Sequence, residues 1–460
     1  MSARRVVGCL VLVVTVAAAC SSSSGGKSSS KSTTTTPAST SAAQSGGGAW
    51  PTYHRDGART GVEPTGPTPG SLRRVWESQT LDGAIYAEPL FVGSQVFVAT
   101  EGNTVYAMDA TSGQIQWQVQ LGDPVPRSGL PCGNIDPTGI TSTPVVDPGR
   151  GLIYVVPFVQ PHRHDLVALD LATGAQRFRR PIDAPGADPT VEQQRGALAL
   201  ANDQVLVPYG GLFGDCGSYH GYVVGARADG SGDLTTYQVP ASLAAAVWAP
   251  PGPTVADNAV YIATGNSKGS GGNPDLSNSV IKLSSPGLQM ADSWTPRNRD
   301  ELSQGDIDLG STSPAPVSDG LMFVIGKEGV GYLLRADQLG GTGGQVFDAQ
   351  VCGSGGYGGT AWAPPMLFVP CSDGLVALRV EGSRFSVAWR AAGADGSPIV
   401  TGNTVWALDL QQGVLHGYQA SDGHEVANTQ TGRAANFATP AAGNGLVVVA
   451  ADRRVIAFGN

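Results

Sequence analysis

Charge is scarce in this chain. Only 14% of its 460 residues are Asp, Glu, Lys or Arg, while glycine reaches 64 and proline 32. That balance argues against a helical enzyme and favours short strands with many turns. A basic face is also missing: 28 Lys and Arg stand against 37 Asp and Glu, a formal charge of −9. Nucleic-acid binders usually carry a basic surface, so that class of partner is set aside. The apolar run from Val6 to Ala19 is too short for a comfortable membrane span. There is no Cys-x-x-Cys-His for an attached haem, no two cysteines are neighbours, and no Gly-x-Ser-x-Gly, HExxH or phosphate-loop signature occurs.

The chain opens on an address. Residues 1–20 read MSARRVVGCLVLVVTVAAAC: two arginines, an apolar run, then a cysteine behind three alanines. This is the pattern of a secretory signal with a small-residue cleavage site. The ending Ala17-Ala18-Ala19-Cys20 resembles a bacterial lipobox, which implies cleavage before Cys20 and lipidation of its sulfur. Residues 1–19 are therefore expected to be a signal peptide. Residues 20–49, rich in Ser, Thr, Gly and Ala, form a lipidated flexible tether with no periodic apolar residues to make a core. The expected location is extracytoplasmic, on a membrane of the cell envelope, with a folded body spanning 50–460.

The body repeats. AMDATSGQIQW (107–117) and ALDLATGAQRF (168–178) both fit Ala-x-Asp-x-x-Ser/Thr-Gly-x-x-x-aromatic, with weaker copies near Asp229-Gly230, Asp337, Glu381-Gly382 and Asp422-Gly423. In each, a strand ends at an Asp whose side chain bonds the turn backbone, and Gly takes the positive-φ position. The aromatic then packs on the next strand. A second element precedes each copy: a small-residue stretch, then an apolar strand. Pro89, Pro144, Pro253, Pro316, Pro365, Pro398 and Pro440 mark seven of these, and a copy near Ala199 lacks Pro. Proline is confined to strand edges with no partner. The innermost strand of a propeller blade, strand A, has such an edge along the central channel. The expectation is an all-β propeller of eight blades, with seven as the alternative. The last blade lacks a fourth strand, and residues 72–81, LRRVWESQTL, are expected to supply it, joining the two ends of the ring.

These repeats, over residues 50–460, resemble the pyrroloquinoline-quinone-like (PQQ-like) propeller family. Its two branches are the quinoprotein dehydrogenases and a propeller lipoprotein of outer-membrane protein assembly. The resemblance implies fold more than function. It also implies a top face, onto which the strand D-to-A connections and the B-to-C turns open. Segments between blades four and five look like those carrying the dehydrogenase site. Trp248 in AAAVWAPP, at the start of strand A, would be the floor under a quinone. Asn266 in YIATGNS would be a calcium ligand. Asp306 and Asp308 in GDIDLGS would supply the catalytic aspartate, Asp306 also being a candidate metal ligand. Lys327 in IGKEGVGYLL would stand near the quinone. A flat quinone wants an aromatic floor, Ca²⁺ wants several oxygen ligands, and a cation stabilises charge on quinone oxygens. The chain departs from the family at Leu212. The blade-three segment GGLFGDCG has leucine where the dehydrogenases carry a calcium-binding glutamate, and Asp215 lies three residues on.

All four cysteines of the body fall on the same expected face. Sequence alone permits three pairings; the topology favours Cys132–Cys216 and Cys352–Cys371 as staples of long top loops, in an exported chain. His162 and His164, with His220 as a third, are a weak metal candidate and read better as a solvated loop. Arg195, Trp362 and Asn436 begin inner strands and are candidates to line the channel mouth. Two functions stay open. One is a non-catalytic envelope module that presents its top face to a protein, polymer or small molecule. The alternative is a PQQ- and Ca-dependent dehydrogenase of an alcohol or sugar.

Overall fold

A computed structural model describes residues 48–268 and 275–460, and in it the repeat resolves into eight separate sheets. The expected signal segment, Cys20 and all of the expected tether except Gly48 and Ala49 lie outside the described residues. Strand A of the successive blades is Leu90–Val92, Val145–Asp147, Ala199–Ala201, Thr254–Ala256, Ala315–Pro316, Ala361–Ala363, Ile399–Thr401 and Ala441–Gly443. The fourth strands, D, are Ile115–Gln120, Gln176–Pro181, Thr235–Gln238, Met290–Thr295 (with Gly341–Thr342 paired outside it), Phe347–Gln350, Arg384–Ala391 and Glu425–Gln430. The eighth is Arg73–Glu77, which pairs antiparallel with Arg454–Gly459 at the C-terminal end, as the sequence predicts.

The repeat motif explains how blades dock. Asp109 Oδ1 accepts from the N–H groups of Thr111 and Ser112, and Asp170 Oδ1 does the same for Ala172 and Thr173. Each turn then passes through a glycine in the left-handed region, Gly113 and Gly174. A side chain there would strike an aromatic ring: a Cβ on Gly113 would lie 2.5 Å from Trp76, and one on Gly174 2.7 Å from Trp117. The ring belongs to strand D of the preceding blade. Its indole N–H also reaches into the turn, Trp76 to Ala110 O at 2.8 Å and Trp117 to Leu171 O at 3.0 Å. Phe178 over Gly230 and Trp389 over Gly423 repeat the contact. The aromatic thus packs on the neighbouring blade's turn.

Middle strands such as Ala259–Ala263 are buried throughout, which is why they read as continuous apolar runs, whereas Ile115–Gln120 alternates with solvent. The core is the set of layers between blades, for example Tyr154, Leu166, Val205, Val207 and Tyr209 between blades two and three.

Two expectations about strand A need correction. Pro365 does not precede its strand; it lies in the turn between Ala361–Ala363 and Met366–Cys371, because that A-to-B turn is a Pro-Pro pair. Nor are the inner edges free. Residues 50–63 thread the channel and pair with them. Trp50 and Phe91 exchange both backbone bonds, and Pro51 O, Gly57 O, Thr60 O and Gly61 O accept from Val146, Val255, Trp362 and Val400. Val62 and Glu63 add a short parallel strand beside Ile399–Thr401. The segment enters beside Gly443 and Asn444 at the bottom, turns at Tyr53 and His54, and descends. Buried Arg59 clamps it, donating to Thr52 Oγ1, Tyr53 O, Leu198 O and Pro253 O at 2.7–3.1 Å.

Candidate functional site

Above this plug the top-face loops enclose a cavity of about 560 Å³. That is small-molecule size. Trp248, Asn266, Asp306, Asp308 and Lys327 all line it, so the structure brings together every member of the group singled out in the sequence. Four come from turns or connections of the expected kind. Trp248 does not begin strand A of blade four; it lies in the connection before it, since that strand starts at Thr254.

Asp308 is buried and both its oxygens are engaged. Oδ2 lies 2.6 Å from Lys327 Nζ, and Oδ1 accepts from the Asn266 N–H at 2.6 Å. Burial lifts its carboxyl above the usual range, with Lys327 pulling the other way. Burial alone would lower the Lys327 ammonium, but Asp308 and Asp306 outweigh it and hold it raised. Asp306 is far more exposed; its Oδ1 accepts from Asn266 Nδ2 at 3.1 Å and lies 3.4 Å from Lys327 Nζ. Lys327 Nζ stands 5.9 Å from the Trp248 ring centroid.

This donor set does not fit calcium. The cation would need several free oxygens at 2.3–2.6 Å. Here the best carboxylate is held by a lysine, and Asn266 turns its amide N–H toward Asp306. Leu212 is 2% exposed and packs with Val125, Leu130 and Phe158, against Cys132 and Cys216. The position that would hold a carboxylate is thus part of an apolar cluster beneath a disulfide. Asp215 does reach the cavity, but its Oδ1 accepts the Tyr219 hydroxyl at 2.5 Å.

Of the three channel-mouth candidates, Arg195 and Asn436 line the cavity and Trp362 does not. Trp362 sits inside strand A of blade six, in the core with Leu367 and Val369. The histidines do not converge, and no group of three His, Cys, Asp or Glu placed to hold a metal occurs among the described residues. His164 is not a solvated loop residue: it is buried, stacked on Phe158 at 4.3 Å, with Nδ1 2.7 Å from Asp183. The edge of strand C begins one residue earlier, at Arg163, and carries it inward. His162 bonds Gly129 O. Cys132–Cys216 and Cys352–Cys371 are both disulfides. Sequence reading missed Tyr219, Tyr357 and Phe437, which complete an aromatic wall. Tyr357 and Phe437 had a signal: each is a lone aromatic in a Gly- or Ala-rich connection, GSGGYGGT and GRAANFATP.

An eight-bladed ring closed by its own N-terminal strand, with a ligand-sized cavity over a plugged channel, is a β-propeller, similar in fold to the PQQ-like propellers. Residues 73–211 match the family described as outer membrane protein assembly factor BamB. Among solved structures the chain is similar to quinohemoprotein alcohol dehydrogenase ADHIIG from Pseudomonas putida HK5. The TM-score is 0.72 at 14% identity, over 90% of this chain and 80% of that one. It is similar to the quinohemoprotein alcohol dehydrogenase of Comamonas testosteroni, with TM-score 0.70, 15% identity and coverage of 91% and 82%. It is also similar to BamB from Moraxella catarrhalis, with TM-score 0.58, 16% identity and coverage of 85% and 100%. No curated protein matches it in sequence. At these identities the likeness concerns the fold.

Proposed function

We propose that this chain is a non-catalytic binding propeller of the cell envelope, tethered through Cys20, which takes a small molecule in its top-face cavity. The observation that carries the reading is the Asp308–Lys327 ion pair. It ties up the carboxylate that would bind a metal or abstract a proton, and it spends the cation that would face a quinone. Leu212, in its apolar cluster, points the same way. A cavity of about 560 Å³ suits a small molecule better than a polymer or a protein loop.

A second reading, quinone- and calcium-dependent oxidation of an alcohol or sugar, is favoured by one fact: Trp248, Asn266, Asp306, Asp308 and Lys327 share one cavity. Calorimetric titration of the purified protein with pyrroloquinoline quinone, with and without Ca²⁺, separates the two. The expected result is no calcium-dependent binding. Calcium-dependent binding at micromolar affinity, followed by dye-linked alcohol oxidation, overturns the non-catalytic reading. The anchor has its own test. Cys20→Ala is expected to move the protein from the membrane fraction to the soluble fraction, and retention on the membrane would sink the tether.

A further inference from the structure

Behind the wall of the top-face cavity lies a second, smaller void; Gln193 and Leu212 line both. Thr138, Thr141 and His164 of blade two and its entering connection line one side, and Glu192 and Gln194 of the connection entering blade three line the other. Glu192 is 3% exposed and Gln194 4%. Glu192 Oε1 accepts from the His220 N–H at 3.0 Å, and Oε2 has no partner among the described residues. Gln194 Nε2 donates to Gly196 O at 2.7 Å and Pro208 O at 3.4 Å, which fixes the amide's orientation and leaves Oε1 as its unpartnered end. The two residues are two apart at the end of the short strand Glu192–Gln193, a spacing that puts them on one face. Thr141 Oγ1 is buried and without a partner as well. Thr138 gives its hydroxyl hydrogen to Ile135 O and keeps its lone pairs.

No Lys or Arg lines this void, and His164, its one imidazole, is tied through Nδ1 to Asp183. Burial lifts the Glu192 carboxyl to about 8, and the charges that reach it, Asp188 and Asp183, are acids that add to the lift. The void thus gathers oxygens around one buried acid with nothing cationic to balance it. An ionised carboxylate is costly in such a place until a counter-charge joins it.

We infer that Glu192 Oε2, Gln194 Oε1 and the Thr138 and Thr141 hydroxyls form a buried site for one sodium ion, which clamps the connections entering blades two and three together behind the cavity wall. One carboxylate balances one charge, whereas calcium takes about six to eight oxygens and several carboxylates. The set holds one acid and three neutral oxygens, with neither the imidazoles nor the thiolates that transition metals favour. The void is too tight for a water molecule, which excludes a hydrated ion and disfavours potassium, an ion close to water in size. The site stands whether or not the top-face cavity is catalytic.

The test is thermal unfolding of the full-length protein at about pH 9, where the Glu192 carboxyl is ionised, in sodium, potassium or choline chloride at one ionic strength. Sodium at about a hundred times its dissociation constant is expected to raise Tm by about 3 °C over choline. Calorimetric titration of sodium chloride into the protein in choline buffer is expected to show a single class of site. Glu192→Gln is expected to abolish both signals, because its amide brings hydrogens and no charge. Thr141→Val keeps the shape and is expected to weaken sodium binding about tenfold; it decides the matter should Glu192→Gln fail to fold. Equal Tm in sodium and choline overturns the site and leaves Glu192 and Gln194 sharing a proton. Potassium acting as well as sodium overturns the assignment of the ion. A sodium signal that survives both substitutions places the ion elsewhere and overturns the inference.

Discussion

At the scale of single residues, the decisive position is Leu212. A glutamate there would complete a ring of oxygens on paper. In the fold it would stand at the wall of the cavity, in a cluster of Val125, Leu130 and Phe158 against the Cys132–Cys216 bridge. A carboxyl with no partner in such a place is costly whether it ionises or takes a proton. Leu212→Glu is expected to lower stability by about 3 kcal/mol and to gain no calcium affinity. Denaturant unfolding with a parallel calcium titration checks it, and a stable, calcium-binding variant would mean that the cluster rearranges easily. Glu192 already shows what burial does to such a group. It is 3% exposed, its Oε1 accepts from the His220 N–H, its Oε2 has no partner, and burial lifts it to about 8. With a folded value raised above the unfolded one, its contribution is complete below about 4.5 and is lost as pH rises toward 8. His54 works in the opposite direction: burial lowers it to about 3, so its contribution is lost as pH falls below 6.5. Between pH 6.5 and 8, therefore, Glu192 titrates without His54, alongside Glu88 and Glu101, whose carboxyls burial also raises. Stability is expected to fall there by about 1 kcal/mol per pH unit or more, and Glu192→Gln to lessen the fall. Melts across that window in both proteins decide it; equal slopes would remove Glu192 as the cause.

Among the elements, the plug is what the sequence did not disclose. Residues 50–63 carry no apolar period and no turn signature, because their backbone groups bond to strands of five different blades rather than to one neighbour. The blades were legible for the opposite reason. Asp109-x-x-Ser112-Gly113 and Asp170-x-x-Thr173-Gly174 are local chemistry, written in consecutive residues. The cavity group was legible in part, since Trp248, Asn266, Asp306, Asp308 and Lys327 sit in turns of a repeated frame. What occupies each of them was not, because the Asp308–Lys327 and Asp306–Asn266 contacts join separate loops. The plug's strength turns on Arg59. Its four acceptors include two carbonyls of other segments, and Arg59→Met would leave Pro253 O unpaired and Leu198 O with only the long bond from Thr52 Oγ1 at 3.4 Å. The expected cost is about 3 kcal/mol or more. The distinctive readout is hydrogen exchange: protection should drop first at Val146, Val255, Trp362 and Val400, the inner-strand amides the plug caps. A uniform drop across all blades would show that the segment is a passenger and not a clamp.

For the whole molecule, the question is what stops a ring of eight weakly curved sheets from opening. Every blade-to-blade seam but one joins segments adjacent in sequence, so chain connectivity helps to hold it. The remaining seam, between blades eight and one, falls where Arg73–Glu77 completes the last blade and swings Trp76 onto the first. That indole lies against Gly113 and donates to Ala110 O, the same contact that Trp117 makes at the next seam. The two contacts are chemically alike and differ in what backs them. Loss of Trp117 leaves blades one and two joined by continuous chain. Loss of Trp76 weakens the strand whose pairing with Arg454–Gly459 joins the first blade's side of the seam to the last blade. Each truncation removes a large packed ring and is expected to cost about 3–5 kcal/mol at equilibrium. The consequences should diverge in where the molecule opens. Trp76→Ala is expected to release the amides of Arg454–Gly459 and Leu446–Ala451 to exchange well below the global unfolding free energy, and to expose blade eight to limited proteolysis. Trp117→Ala is expected to lower global stability without a local opening. Identical exchange patterns in the two variants would mean that the channel plug, which binds blades one and seven through Trp50 and Val62, already closes the ring without the outer strand.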